Sequence, residues 1–222
     1  MLDRPVRKLI DPLLERPARL LAATGLTANA VTWIGFGFGI ATGILIAQQH
    51  FSLGLIALLI NRLCDGLDGT IARQTRPTDL GGFLDIILDM IFYAGIPLAF
   101  VIADERNAVA ATLLIFSFVG TSGSFLAFAV ISAKRGVTSD SDGRKSFFYS
   151  FGLMEGTETL GFLIAFCLVP GQFARLAFIF AGLCVATTLL RICQAIAQFS
   201  DASSSAKRAR PEERASDRSA MS

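Results

Sequence analysis

The sequence predicts an all-α integral membrane protein, with six transmembrane helices behind an N-terminal interfacial amphipathic helix. Three observations carry this. Of 222 residues, 53% are hydrophobic and only 17% charged, a balance typical of membrane chains rather than soluble domains. Six apolar runs recur, each near the ~20 residues that a spanning helix needs. The basic residues cluster at alternate ends of those runs.

Within residues 1–28, Leu2, Val6, Leu9, Ile10, Leu13 and Leu14 are spaced against Arg4, Arg7, Lys8 and Glu15. That gives one apolar and one basic helical face, suited to the headgroup region. Pro12 and Pro17 are expected to interrupt or bend this helix. The apolar runs fall at about 29–48, 53–74, 82–103, 108–133, 150–169 and 173–199, so residues 29–199 form one transmembrane domain. Gly35, Gly39 and Gly43 recur at intervals of four in the first run, a small-residue stripe for packing within the chain. Pro97 is expected to bend the third run. Residues 200–222, rich in Ser, Ala, Arg and Glu, lack the apolar content to bury a core and are expected to form a disordered cytoplasmic tail.

Orientation follows from the positive-inside rule. With the N-terminus inside, residues 1–28, 74–81, 134–149 and the tail carry fifteen Lys and Arg, against Arg106 alone in the outside loops. Both termini are therefore expected on the cytoplasmic side of an inner (cytoplasmic) cell membrane.

Composition also excludes chemistries. The four cysteines, Cys64, Cys167, Cys184 and Cys193, have no CxxC spacing and read as small buried hydrophobes. The single histidine, His50, falls at a loop, and no GxSxG elbow is present, so histidine-based triads and zinc-protease signatures are excluded.

Against this apolar background, four carboxylates occur within 25 residues: Asp65, Asp68, Asp85 and Asp89. Acidic side chains near lipid are costly and hold something charged. Asp65, Asp68, Gly69, Ala72 and Arg73 share one face of a helix by their offsets of 0, 3, 4, 7 and 8. Gly81, Asp85 and Asp89, at offsets of 0, 4 and 8, share a face of the next, and a seven-residue connection makes the two helices antiparallel neighbours. Four facing carboxylates repel unless neutralised, and hard divalent cations such as Mg²⁺ or Mn²⁺ favour carboxylate oxygen. Two such ions with Arg73 would accept a diphosphate, and Gly69 and Ala72 leave room for a ligand at the helix backbone.

The pattern Asp65-x2-Asp68-Gly69-x2-Ala72-Arg73-x7-Gly81-x3-Asp85-x3-Asp89 resembles the signature of the class I CDP-alcohol phosphatidyltransferases. The resemblance implies an enzyme that moves a phosphatidyl group from CDP-diacylglycerol to a small alcohol, releasing CMP, in phospholipid biosynthesis. It implies that Asp65, Asp68 and Asp85 ligate metal, that Asp89 contacts metal and acts as general base, and that Gly69, Ala72, Arg73 and Gly81 line the CDP-lipid site. A homodimer is implied as well, and no nucleic-acid partner is expected. The acceptor alcohol is not specified by this motif.

Two other classes compete: a membrane prenyltransferase holding a Mg-diphosphate on aspartates, and a non-enzymatic divalent-cation transporter. The first resembles a larger bundle with two separated Asp-rich motifs, whereas this chain has one compact set. The second has no need of Gly-x-x-Ala-Arg beside the carboxylates. Other charged groups keep two readings. Glu155 and Glu158 lie at i, i+3 early in the fifth run; Glu158 and Arg191 form a buried pair at matched depth, or else the Gly156-Thr157-Glu158-Thr159 stretch lines an acceptor pocket. Arg62 either pairs with one of these acids or compensates the aspartate cluster. The 134–148 loop, with Lys134, Arg135, Arg144 and Lys145, binds either an anionic acceptor or lipid headgroups.

Overall fold

The computed structural model describes residues 3–134, 154 and 156–219, and every regular element among them is helical. The helices are α1 (Asp3–Ala23), α2 (Ala28–Ala47), α3 (Phe51–Gln74), α4 (Asp79–Ala103), α5 (Ala108–Lys134), α6 (Gly156–Leu168) and α7 (Phe173–Ser219). Single 3-10 turns, Glu105–Asn107 and Pro170–Gln172, lead into α5 and α7.

Each apolar run has become a helix, and local chemistry explains the boundaries. Thr27 and Thr78 cap α2 and α4, their hydroxyls accepting from the Ala30 and Gly81 amides at 3.3 and 3.1 Å. At the end of α1, Gly25 adopts φ +84°, and the Gly25 and Leu26 amides donate back to the Ala22 and Leu21 carbonyls. This is a Schellman closure, which needs a residue without Cβ strain at that position. The end of α2 is closed alike, with Gln49 at φ 63°. Its side-chain amide donates to the Ala103 carbonyl at 2.9 Å, tying the α2–α3 turn to the end of α4.

Among the described residues, four segments are long and apolar enough to cross a bilayer: Ala28–Ala47, Asp79–Ala103, Glu105–Lys134 and Pro170–Ala197. The 24-residue α3 matches them in length but carries Arg62, Asp65, Asp68 and Arg73. At 13 residues, α6 spans only ~20 Å at ~1.5 Å per residue. The outward faces of the long helices are apolar, with Trp33, Ile40, Ile56, Ile91, Phe116 and Ile179 all exposed, as lipid-facing surface requires.

α1 runs through Pro12 and Pro17, and α4 through Pro97, each as one helix. Other expectations change here. α7 does not stop with its apolar run near 199 but continues to Ser219, so residues 200–219 are helical where disorder was expected. Ala, Lys, Arg and Glu favour extension of a helix already nucleated upstream, against the cost of Pro211 and the serines in the same segment. Of the cysteines, Cys167 and Cys184 are buried, Cys64 is half-buried and Cys193 is exposed. Arg135, Arg144, Lys145 and Glu155 lie outside the described residues.

Two apolar cores hold the bundle. The larger is aromatic: Phe100 stacks on Phe51 and Phe173, with ring centroids 5.7 and 4.2 Å apart, and Phe166 and Phe180 complete it. The smaller seats α1 against α2 and α3 through Leu14, Ala18, Val31, Leu67 and Ile71. The most extensive helix–helix packing is between α2 and α3, and α2 also packs on α4. The stripe on α2 explains this: Gly35 faces Cys64 and Gly39 faces Phe92, whereas Gly43 faces open space. α2 is thus the shared wall, and α3 and α4 meet through side chains.

Candidate active site

The gap between α3 and α4 is where the acidic residues converge. Asp65, Asp68 and Asp85 each present a carboxylate oxygen, and these oxygens lie within 4.8 Å of one another. Asp68 is only 4% exposed, and its Oδ2 is buried with no hydrogen-bond partner. A buried carboxylate oxygen without a donor is unfavourable unless a cation completes it. A crevice of about 20 Å³ lies among Asp65, Asp68, Asp85 and Asp89, enough for one water-sized occupant. Hard oxygen donors, a small crevice and an orphaned oxygen together fit a divalent cation of the Mg²⁺ or Mn²⁺ kind.

Asp89 is placed differently from the other three. Arg62 grips it, with Nη2 donating to Oδ1 at 2.8 Å and Nη1 to Oδ2 at 3.4 Å. The same guanidinium donates from Nη1 to the Tyr93 hydroxyl at 2.9 Å and from Nε to Asn61 Oδ1 at 2.8 Å. It also lies 4.6 Å from the centroid of the Phe92 ring and 3.6 Å from Asp65 Oδ2. Asn61 is itself fixed, its Nδ2 donating to the Gly35 carbonyl at 2.8 Å. Of the two sequence readings of Arg62, compensation of the aspartate cluster is the one observed, through Asp89 and Asp65.

Beside the carboxylates opens a cavity of about 580 Å³, within the range of small-molecule sites. Gly69, Ala72, Gly81 and Asp85 line it from α3 and α4, and Gly25, Asn29 and Thr32 from the α1–α2 turn and α2. A Cβ on Gly81 would lie 3.0 Å from Asn29 Oδ1, so the glycine allows α4 to approach α2 at the rim. Arg73 is exposed, and its Nη2 donates to Thr70 Oγ1 at 3.0 Å. The remaining charged groups lie elsewhere. Arg191 donates to the Thr121 carbonyl at 2.8 Å and lies over the Phe125 ring, and one oxygen of Glu158 is buried.

Sequence reasoning named the four aspartates and Arg62 but missed Asn61, Thr32, Asn29 and Tyr93. Tyr93 had a readable signal. It continues the Gly81, Asp85, Asp89 stripe by another step of four.

The family comparison decides the identity. The description CDP-alcohol phosphatidyltransferase matches residues 25–190, three quarters of the chain and all of this site. The chain belongs to the CDP-alcohol phosphatidyltransferase family. It is therefore an integral membrane transferase of substituted phosphate groups, acting between a CDP-alcohol and an alcohol in lipid synthesis, and the family works with divalent metal ions. It is 45% identical over 193 residues to the inner membrane protein YnjF of Escherichia coli K12, covering 86% of this chain and 94% of that one. An archaetidylinositol phosphate synthase of Pyrococcus horikoshii is 35% identical over 92 residues, 41% of this chain and 49% of the relative. The fold is similar to that of the Mycobacterium tuberculosis phosphatidylinositol phosphate synthase PgsA1, solved with CDP-DAG bound. Its TM-score is 0.62 at 21% identity, over 83% of this chain and 94% of that one.

Proposed function

We propose that this transferase moves the phosphatidyl group of CDP-diacylglycerol to a small alcohol and releases CMP. The observation that carries the reading is the buried, donor-less Oδ2 of Asp68, set in a three-carboxylate nest that opens on the cavity edged by Gly69, Ala72 and Gly81. Asp65, Asp68 and Asp85 hold divalent metal, Mg²⁺ or Mn²⁺, in a two-ion site to which Asp89 also belongs. Ions held there would offset charge on the attacking and leaving oxygens. Gly69, Ala72 and Gly81 let the cytidine diphosphate lie against the helix backbones, and Arg73 faces its phosphates.

Asp89 accepts the proton of the acceptor hydroxyl, whose oxygen attacks the phosphorus bonded to diacylglycerol. The bond from that phosphorus to the CMP oxygen breaks, and the new phosphodiester remains in the membrane. The bidentate grip of Arg62 uses one lone pair on each Asp89 oxygen and leaves another on each for that proton.

Six spans in residues 29–199 frame this reading, with α3 crossing despite its charges. Residues 1–28 lie in the interface, and 200–222 form a tail outside the domain. The excess of Lys and Arg supports both termini and the active site on the cytoplasmic side. The working form is a homodimer.

The test is CMP release by purified protein from CDP-diacylglycerol, with serine, glycerol 3-phosphate, inositol, inositol phosphate or choline as acceptor. Inositol phosphate is tried first in that panel, because one relative is an archaetidylinositol phosphate synthase. Product formation with one acceptor supports the reading; absence of CMP release with every acceptor overturns it. Metal uptake into proteoliposomes without CMP release would instead favour transport.

A further inference from the structure

The reaction sketched above assigns no task to the residues that hold Arg62. Asn61 is only 4% exposed, and an amide is costly to bury unless both its ends are bonded. Both are: Nδ2 donates to the Gly35 carbonyl of α2, and Oδ1 accepts from Nε of Arg62, each at 2.8 Å. The guanidinium lies over the face of Phe92, 4.6 Å from the ring centroid, and donates from Nη1 to the Tyr93 hydroxyl at 2.9 Å. Three helices, α2, α3 and α4, thus fix the plane of one cation whose side chain is itself largely buried.

That plane addresses Asp89. Nη2 donates to Oδ1 at 2.8 Å and Nη1 to Oδ2 at 3.4 Å, a two-pronged contact that sets the roll of the carboxylate as well as its position. Asp65 is met as an ion pair, its Oδ2 lying 3.6 Å from Nη1. Balancing acidic charge needs only a cation nearby, which a lysine would supply equally. Aiming one carboxylate needs the flat, five-donor fork that arginine carries. Asn61, Arg62 and Tyr93 do not line the cavity of about 580 Å³, which separates them from the residues that would hold the CDP-lipid.

We propose that Asn61, Arg62 and Tyr93 are positioning residues for the transfer, a cradle that holds the Asp89 carboxylate in the orientation from which it takes the acceptor's proton. Arg62 touches Asp89 directly. Asn61 and Tyr93 act on Asp89 through Arg62, and Asn61 ties the fork to the α2 backbone. The inference rests on the reading of Asp89 as general base given above. It adds that the base is aimed by the shape of the guanidinium and not only balanced by its charge.

Steady-state CMP release by the purified full-length protein in lipid nanodiscs, with CDP-diacylglycerol and the acceptor that supports turnover, tests this. Arg62→Lys keeps the charge and loses the fork. Its kcat should fall by about 10²-fold, the cost of misplacing a reacting group by ~1 Å, while KM for the CDP-lipid stays the same. Tyr93→Phe removes one hydroxyl and should lower kcat by a smaller factor at the same KM. It serves if Arg62→Lys does not fold. The deciding measurement repeats each substitution in the Asp89→Asn background. There a residue that acts through Asp89 has no base left to aim, so neither substitution should lower the residual rate further. An unchanged kcat in Arg62→Lys, or in Tyr93→Phe where that variant serves, leaves Arg62 with charge balance alone and overturns the proposal while the base reading stands. So does a loss that appears in KM rather than kcat, or one as large in the Asp89→Asn background as in the wild type. Turnover retained in Asp89→Asn, or no CMP release by the wild type with any acceptor, overturns the base reading and the proposal together.

Discussion

Gly35 and Cys64 meet so closely that a Cβ on Gly35 would lie 2.8 Å from the Cys64 Cβ. Cys64 directly precedes Asp65, so this contact fixes how near α2 comes to the first acidic residue. Neither atom belongs to a flexible side-chain end, and relief requires the helices to part. Gly35→Ala gains about 0.5–1 kcal/mol of helix propensity but overpacks the interface at about 1–3 kcal/mol. The net effect should lower the melting temperature in detergent. Gly37→Ala, with nothing within 4 Å of the added Cβ, should keep it or raise it. Equal melting of the two variants would contradict the contact.

Asp89→Asn removes the proton acceptor and leaves the cavity lining untouched. CMP release should fall by about 10²–10⁴-fold, while binding of CDP-diacylglycerol persists. A radiolabelled lipid-binding assay beside the turnover assay separates the two. Retained turnover would take the base role away from Asp89.

Chelation gives the third outcome. EDTA should abolish CMP release, and added Mg²⁺ or Mn²⁺ should restore it. Asp68→Asn has opposite effects on function and stability. It removes one charge from a mutually repelling set, so melting in EDTA should rise by about 2–4 °C, the shift expected for ~1 kcal/mol in a chain of this size. In the same variant Mn²⁺ binding should collapse. Activity that survives complete chelation, or a lower melting temperature in EDTA, would argue against a cation nest at Asp68.

Gly81 lines the cavity away from the nest. An added Cβ would lie 3.0 Å from Asn29 Oδ1 and 3.1 Å from Thr78 Oγ1, disturbing both the rim and the cap of α4. Gly81→Ala should raise KM for the CDP-lipid by about tenfold, equivalent to ~1.4 kcal/mol, with Mn²⁺ binding unchanged. A variant that loses Mn²⁺ but keeps KM would reverse the assignment of the two regions.

Much of this was legible from residue order. Long apolar runs located α2 to α5 to within a few residues, because helices with lipid-facing sides need continuous hydrophobicity and little else. The acidic stripes were legible because a helical period of 3.6 aligns Asp65 with Asp68 and Asp85 with Asp89. The same period hides the separation of Asp89. A step of four residues overshoots a full turn by about 40° and climbs ~6 Å, which carries Asp89 away from Asp68 and toward Arg62. Antiparallel progression compounds the effect, since each step outward along α4 matches a step back along α3. Asn61, Thr32 and Asn29 were illegible because each acts through a neighbour from another helix. The length of α7 was missed because apolar content reports burial, whereas the backbone continues wherever propensity permits.

The Schellman turn at Gly25 has a practical consequence. It joins α1 to α2 without slack, and Ala22, Gly25 and Leu26 form part of the cavity wall. The amino-terminal arm is thus a component of the binding chamber rather than a leader to it. A deletion that reaches through Leu26 removes Ala22, Gly25 and Leu26 and leaves the chamber open on one side. Affinity handles and fluorescent reporters belong beyond Ser219, at the end remote from this wall in the chain.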